Sequence, residues 1–241
     1  MRVKITLSYN GSEFFGFQSQ TSTNRTVSGV LKKAFLRVGI KGNIYGSGRT
    51  DSGVHASAQV IHIDLPTFWN DLQKLKEHIN RSVAPNIFIK NIQIVNDDFH
   101  ARFSAKSRVY RYVISKSQIN PFSAKFVTFS EPFDTEIMQE AIKELEGTHD
   151  FGWFKKNGSP TSSDIRTIHK VFMYKFRNHY IIHFEADGYL RSQIRMMMYM
   201  LLEISKKRLP ISAISEQLEH KVRHTSQLAP PNGLYLAKIK Y

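Results

Sequence analysis

The stretch GSGRTDSGVHAS, Gly46 to Ser57, sets Gly46, Gly48 and Gly53 around a single carboxylate, Asp51. Arg49 stands two residues before that carboxylate and His55 four after it. Glycine lets a backbone turn tightly and lets a ligand come close. Such a run can be a phosphate cradle, half of a proteolytic centre, a plain turn, or a loop presenting a working carboxylate. A Walker loop requires Gly-Lys-Ser/Thr at its end, which is missing, and a dinucleotide fingerprint requires glycine where Asp51 stands. A carboxylate in a cradle would also repel phosphate. Asp51–Gly53 spells the triplet of aspartic proteases, but that chemistry needs two carboxylates sharing a proton. No second Asp-Ser-Gly or Asp-Thr-Gly occurs, so the pair would need a dimer, and Arg49 and Thr50 are polar where such an enzyme has a buried strand. On local physics two readings stay open: a hairpin with Asp as turn former, and a single working carboxylate.

Around this loop the chain reads as globular. It has 241 residues, 41% of them hydrophobic and 12% aromatic, long enough for a core without staples. Its 34 Lys and Arg against 20 Asp and Glu give a formal charge of +14. Charge of that size bears on partners and makes a polyanion, nucleic acid first, the natural one. The chain has no cysteine, which excludes disulfides, thiolate zinc sites and a cysteine nucleophile. That suits a reducing cytoplasm, the expected location. The N-terminal MRVKITLSYN alternates like a strand and lacks the apolar core of a signal peptide. The longest apolar run, Met196 to Leu202, is far short of the about 20 residues that span a bilayer.

Periodicity orders the elements. Val3, Ile5 and Leu7 alternate with polar residues as in a strand. Val27, Val30, Leu31, Ala34, Phe35 and Val38 recur at helical spacing, and Gly39 closes that helix. After the glycine loop, Ala58 to Leu65 reads as a strand, Leu72, Leu75 and Ile79 mark a helix, and Ile87 to Val95 is a strand. The second half repeats this rhythm. Arg108 to Ser115 is a strand. Asp134 caps a helix holding Ile137, Met138, Ala141, Ile142 and Leu145, with Gly147 after it. Val171 to Phe176 and Tyr180 to Glu185 form a hairpin around Arg177-Asn178-His179, a long helix runs from about Tyr189 to Lys207, and Gly233 to Tyr241 is a closing strand. The class is α+β, with two similar α/β halves, each a mostly antiparallel sheet with helices on one face. The boundary falls near FHARFSAKS, Phe99 to Ser107, giving halves 1–103 and 104–241.

The longer pattern separates the two open readings. GRTDSGVHA, Gly48 to Ala56, closely resembles the signature loop of the tRNA pseudouridine synthase A family, with Ser52 where the family usually has Ala. YNGSEFFGFQSQ, Tyr9 to Gln20, is similar to the family's opening, with Phe17 for the usual Trp. FHARFSAKSRVYRYVI (Phe99 to Ile114), GTHDF (Gly147 to Phe151), Arg166, ADGYLRSQIR (Ala186 to Arg195) and APPNGLYL (Ala229 to Leu236) follow in the family's order. The helix departs from the pattern: Gln193-Ile194-Arg195-Met196 stands for Met-Val-Arg-Asn, and Tyr199 for a small glycine.

The resemblance implies the pseudouridine synthase fold, a catalytic cleft between the halves, and isomerisation of uridine to pseudouridine on the 3′ side of the anticodon stem-loop of tRNA. It implies no metal and no cofactor, and the ten histidines form no His-Glu-x-x-His run; His55 and His62 read as structural. It makes Asp51 the catalytic residue, as a nucleophile or a general base. Arg195 matches the partner arginine that would keep Asp51 ionised. Tyr110 matches the tyrosine that stacks on the flipped uracil and can help move a proton; Tyr112 reads as a sheet aromatic. Leu190 is expected in the pocket floor, and Arg49, Gln20 and Arg166 are expected to bind substrate. Family partners are tRNA and a second copy of the chain. A non-catalytic RNA-binding module on the same scaffold is the competing reading, and the trio Asp51, Tyr110 and Arg195 argues against it.

Overall fold

A computed structural model describes residues 1–158 and 161–241, which divide into two compact units: Met1–Lys106 with Tyr235–Tyr241, and Ser107–Leu234.

In the first unit the alternation at Val3, Ile5 and Leu7 places all three fully inside β1 (Arg2–Tyr9). β1 pairs antiparallel with β3 (His55–Asp64) on one side and β4 (Ile87–Ile94) on the other. The short β2 (Tyr45–Gly46) and β10 (Leu234–Lys240) both lie against β3, β2 antiparallel and β10 parallel. α1 (Val27–Arg37) starts where Thr26 Oγ1 accepts the Gly29 amide, and Gly39 follows its end at φ +79°. α2 (Leu72–Val83) starts where Asp71 accepts the Lys74 amide, and it packs on β4 through buried Leu75, Ile79 and Val83. Each cap satisfies an amide that the helix leaves unpaired. The glycine loop leads into β3, which starts at His55, before the expected Ala58.

In the second unit β5 (Ser107–Ser115), β9 (His179–Ala186), β8 (Ile165–Phe176) and β7 (Gly147–Asp150) pair in that order, antiparallel throughout. β6 (Thr128–Phe129) runs parallel to β5. The β8–β9 turn is two residues, with Arg177 at φ +53°. Asp134 caps α3 (Thr135–Ala141) as expected, accepting from the Glu136 and Ile137 amides. Beyond Ala141 the helix tightens into a 3₁₀ turn before Gly147 at φ +110°. α4 (Gln193–Ser205) buries nearly every side chain from Met196 to Ile204. It begins four residues after the expected Tyr189 because Ser192, at φ +61°, is left-handed and holds 187–192 as a loop. α5 (Ala213–Leu218) follows. Tyr112 is fully buried, with its hydroxyl between Thr128 Oγ1 (3.0 Å) and the Pro230 carbonyl (2.7 Å), as a sheet aromatic should be. No described helix is long and apolar enough to cross a membrane.

Candidate active site

The Asp51 loop is built by contacts within the first unit. The segment Gly11–Phe17 lies along it with almost no spare room. A methyl on Gly11 would stand 1.9 Å from the Val54 carbonyl oxygen, and one on Gly16, already at φ +97°, would stand 3.0 Å from that of Thr50. The Phe17 amide donates to the Thr50 carbonyl (3.1 Å). Gly46 accommodates the Phe17 ring, which a β-carbon there would meet at 2.5 Å. Thr50 is buried and its hydroxyl meets Tyr9 Oη at 2.8 Å; burial pushes the Tyr9 phenol up to about 12, against the pull of its bonds to Thr50 and Gln59. Gln59, fully buried, donates from Nε2 to the Gly48 carbonyl (2.8 Å). The Val54 amide donates to the Asp51 carbonyl (3.2 Å), closing a turn through Gly53 at φ +80°. The chain is therefore a turn around Asp51, but one fixed on both flanks while the Asp51 side chain stays half-exposed. An ordinary surface hairpin needs no such clamp.

Arg49 points to solvent, with no hydrogen bond or ion pair among the described residues. Gln20 is exposed, and its Nε2 donates to the Phe15 carbonyl (2.7 Å), which ties it to the segment under the loop. The two imidazoles are structural. His55 Nδ1 accepts from the Gly11 amide (3.0 Å) and its ring stacks on Tyr235. His62 Nδ1 accepts from the Ala101 amide (3.1 Å). Burial, then the nearby His100 and Arg2, lower the His62 pKa to about 4.

Four candidates belong to the second unit and converge on residues 187–195. Tyr110 is buried on β5 and meets the Tyr189 ring edge-on at 5.2 Å. Leu190, also buried, follows that tyrosine, and its amide donates to Gln193 Oε1 (2.8 Å). Arg166 Nη1 donates to the Ser163 carbonyl (3.0 Å), and its Nε lies 3.6 Å from where a Gly188 β-carbon would be. Arg195, on the first turn of α4, donates from Nε to the Ala229 carbonyl (2.7 Å), while the Ala229 amide returns to the Arg195 carbonyl (2.9 Å). Its guanidinium is thus aimed by the strand-ward segment that carries APPNGLYL. Asp51, Arg49 and Gln20 lie in the first unit; Tyr110, Arg195, Leu190 and Arg166 lie in the second.

The model of the tRNA pseudouridine synthase family matches residues 5–104 and 141–241, which takes in the clamped loop and the 187–195 cluster alike. The chain belongs to this family. Among its relatives, the tRNA pseudouridine synthase A of Helicobacter hepaticus is 37% identical over 243 residues, covering 99% of this chain and 98% of that one. That of Wolinella succinogenes is 37% identical over 235 residues, covering 98% and 92%. That of Limosilactobacillus reuteri is 37% identical over 249 residues, covering 100% and 96%.

Three residues of this synthase-family chain carry structural weight that the sequence does not signal. Gln59 holds the Gly48 carbonyl from within a strand, where a polar residue reads as outward-facing. Gln193, one of the departures in the helix, is almost fully buried, and its Oε1 accepts the Leu190 amide (2.8 Å), which ties the first residue of α4 to the loop before it. Tyr189 sits inside ADGYLRSQIR, yet only the structure shows its buried hydroxyl beside Tyr110, without a hydrogen-bond partner among the described residues. Burial, the Tyr110 hydroxyl and the Glu185 and Asp187 carboxylates hold the Tyr189 phenol well above its ordinary value.

Proposed function

We propose that this protein isomerises uridine to pseudouridine in tRNA, within the anticodon arm, with Asp51 as the essential residue. The observation that carries the proposal is a family match running through both units, in a chain that keeps Asp51, Tyr110 and Arg195. In the reaction the C1′–N1 bond breaks, the uracil turns over, and a C1′–C5 bond forms. C5 gives up its proton, N1 gains one, and nothing else enters or leaves. No resident group is required for that balance.

Asp51 acts as nucleophile or as general base. Either role needs an ionised carboxylate, and Arg195 is assigned the task of holding it so. Tyr110 stacks on the extruded base, since an enzyme working on a base must take it out of the helix. Leu190 contributes an apolar floor. Arg49, Gln20 and Arg166 contact the RNA; a solvent-facing Arg49 supports that assignment. The formal charge of +14 supports binding through phosphates and shape. The working form is assigned as a homodimer in the cytoplasm. The half-exposed row Val113, Ile181 and Tyr174, side by side on one face of the second unit's sheet, supports a second copy as cover. Sedimentation at equilibrium reads the dimer. Pseudouridine mapping in tRNA from cells with and without the gene tests the substrate: loss confined to the anticodon arm is expected, and an unchanged map overturns the proposal.

A further inference from the structure

An open cavity of about 420 Å³ lies within the second unit, between the exposed side of α4 and the segment 223–227. Its lining includes Tyr199, Glu203, Arg208, Arg223, His224 and Gln227. Tyr199 and Glu203 follow Arg195 by four and eight residues on α4, so they continue its face, each step advancing about 6 Å along the axis. The far wall is rigid. Buried Gln217 accepts from the Thr225 amide (3.0 Å) and donates to the carbonyls of Thr225 (3.2 Å) and Trp153 (3.1 Å). His224 Nε2, in the same wall, meets Glu216 at 2.6 Å.

The charges in the cavity are unequal in their freedom. Glu203 is met by Arg208 at 3.3 Å and by Lys206 at 3.8 Å, and Arg208 also reaches Glu131 at 2.7 Å. These carboxylates and cations answer one another. Arg223 is exposed and has no hydrogen bond or ion pair among the described residues, and neither has the half-exposed Tyr199 hydroxyl. A planar guanidinium left over on the 223–227 wall of a cavity that a phenol on α4 also lines suits a phosphate with an attached ring. The volume exceeds what a bare inorganic anion fills and falls within the range of ligand pockets.

We propose that this cavity is a nucleotide subsite for the substrate RNA strand, in which Arg223 holds a backbone phosphate and Tyr199 receives the sugar and base attached to it. The subsite deepens the tRNA reading above and rests on it. It places the flanking strand along the α4 face that begins at Arg195.

The test uses the full chain and an unmodified tRNA transcript with uridines in its anticodon arm. Arg223→Gln should raise KM about tenfold and leave kcat within about twofold, as expected for a lost charged hydrogen bond in ground-state binding. The log–log slope of tRNA affinity against salt should fall by about 1. Arg223→Lys should restore the slope and part of the KM, and Tyr199→Phe should raise KM about threefold without touching the slope. Arg37→Gln, an exposed arginine on α1, removes the same charge elsewhere. Equal slopes in wild type and Arg223→Gln, a loss confined to kcat, or the same change from Arg37→Gln overturns the proposal. If the wild-type protein binds the transcript but forms no pseudouridine, the functional reading fails instead, and the Arg223 salt slope still decides the subsite.

Discussion

Gly11 is where the clamp on the Asp51 loop is tightest, and Gly11→Ala tests it directly. The added methyl would stand 1.9 Å from the Val54 carbonyl oxygen, 2.3 Å from its carbon and 2.8 Å from the His55 nitrogen. All three are backbone atoms, so no rotamer change relieves the clash. Reaching the 3.4 Å of ordinary contact means driving the 11–17 segment off the turn that follows Asp51. The Gly11 amide then also loses His55 Nδ1, now at 3.0 Å. Overpacking against unyielding atoms costs about 3 kcal/mol, and the lost hydrogen bond adds about 1 kcal/mol. For a chain of this length that corresponds to a fall in Tm of about 8–16 °C. A displacement of an ångström or more at the carboxylate costs about 100-fold in turnover. Differential scanning calorimetry reads the first quantity, and tritium release from tRNA carrying C5-labelled uridine reads the second. A variant melting within about 1 °C of wild type, with turnover within about twofold, would refute the clamp.

Two further expectations follow from single side chains. Tyr189→Phe removes a buried hydroxyl that has no hydrogen-bond partner among the described residues, so Tm should hold or rise by about 2 °C; a drop of that size would show that the hydroxyl is bonded. His62, with its pKa lowered to about 4, stays neutral in the folded chain while the unfolded chain takes up a proton below about 6.5. The unfolded state therefore binds more protons between those values, and stability is lost as pH falls from about 6.5 to about 4. Urea titrations should show a shallower loss across that window in His62→Gln, and identical slopes would contradict the assignment.

Periodic elements were legible because their causes are local. The alternation in β1 and the cap Asp134 lie in neighbouring residues, and each forms where its pattern predicts; the caps Thr26 and Asp71 are local too, and the structure adds them. Other features depend on partners distant in sequence. β10 runs beside β3, a pairing no local pattern encodes. The start of α4 waits for Ser192 in a left-handed conformation and for Gln193 to bond the Leu190 amide; the residue types from Tyr189 onward encode neither. The strands β2, β6 and β7 are two to four residues long, too short for a period to register. At the site, the glycines around Asp51 were equally compatible with a turn and with a working loop. The structure adds how the loop is held: Gly11, Gly16, Tyr9 and Gln59 fix it from beneath while the carboxylate stays half-exposed. The residue types in the 187–195 cluster were visible as a motif, whereas the edge-on packing of Tyr189 on Tyr110 is a tertiary fact.

The measurement that bears most directly on the function is tritium release from C5-labelled uridine in tRNA, compared between the wild-type protein and Asp51→Ala, with tRNA binding measured alongside. Forming the C1′–C5 bond must expel the C5 hydrogen, so the wild type should release tritium with repeated turnover. Asp51→Ala should bind tRNA and release none. Release by Asp51→Ala at the wild-type rate, or none by the wild type, would contradict the account.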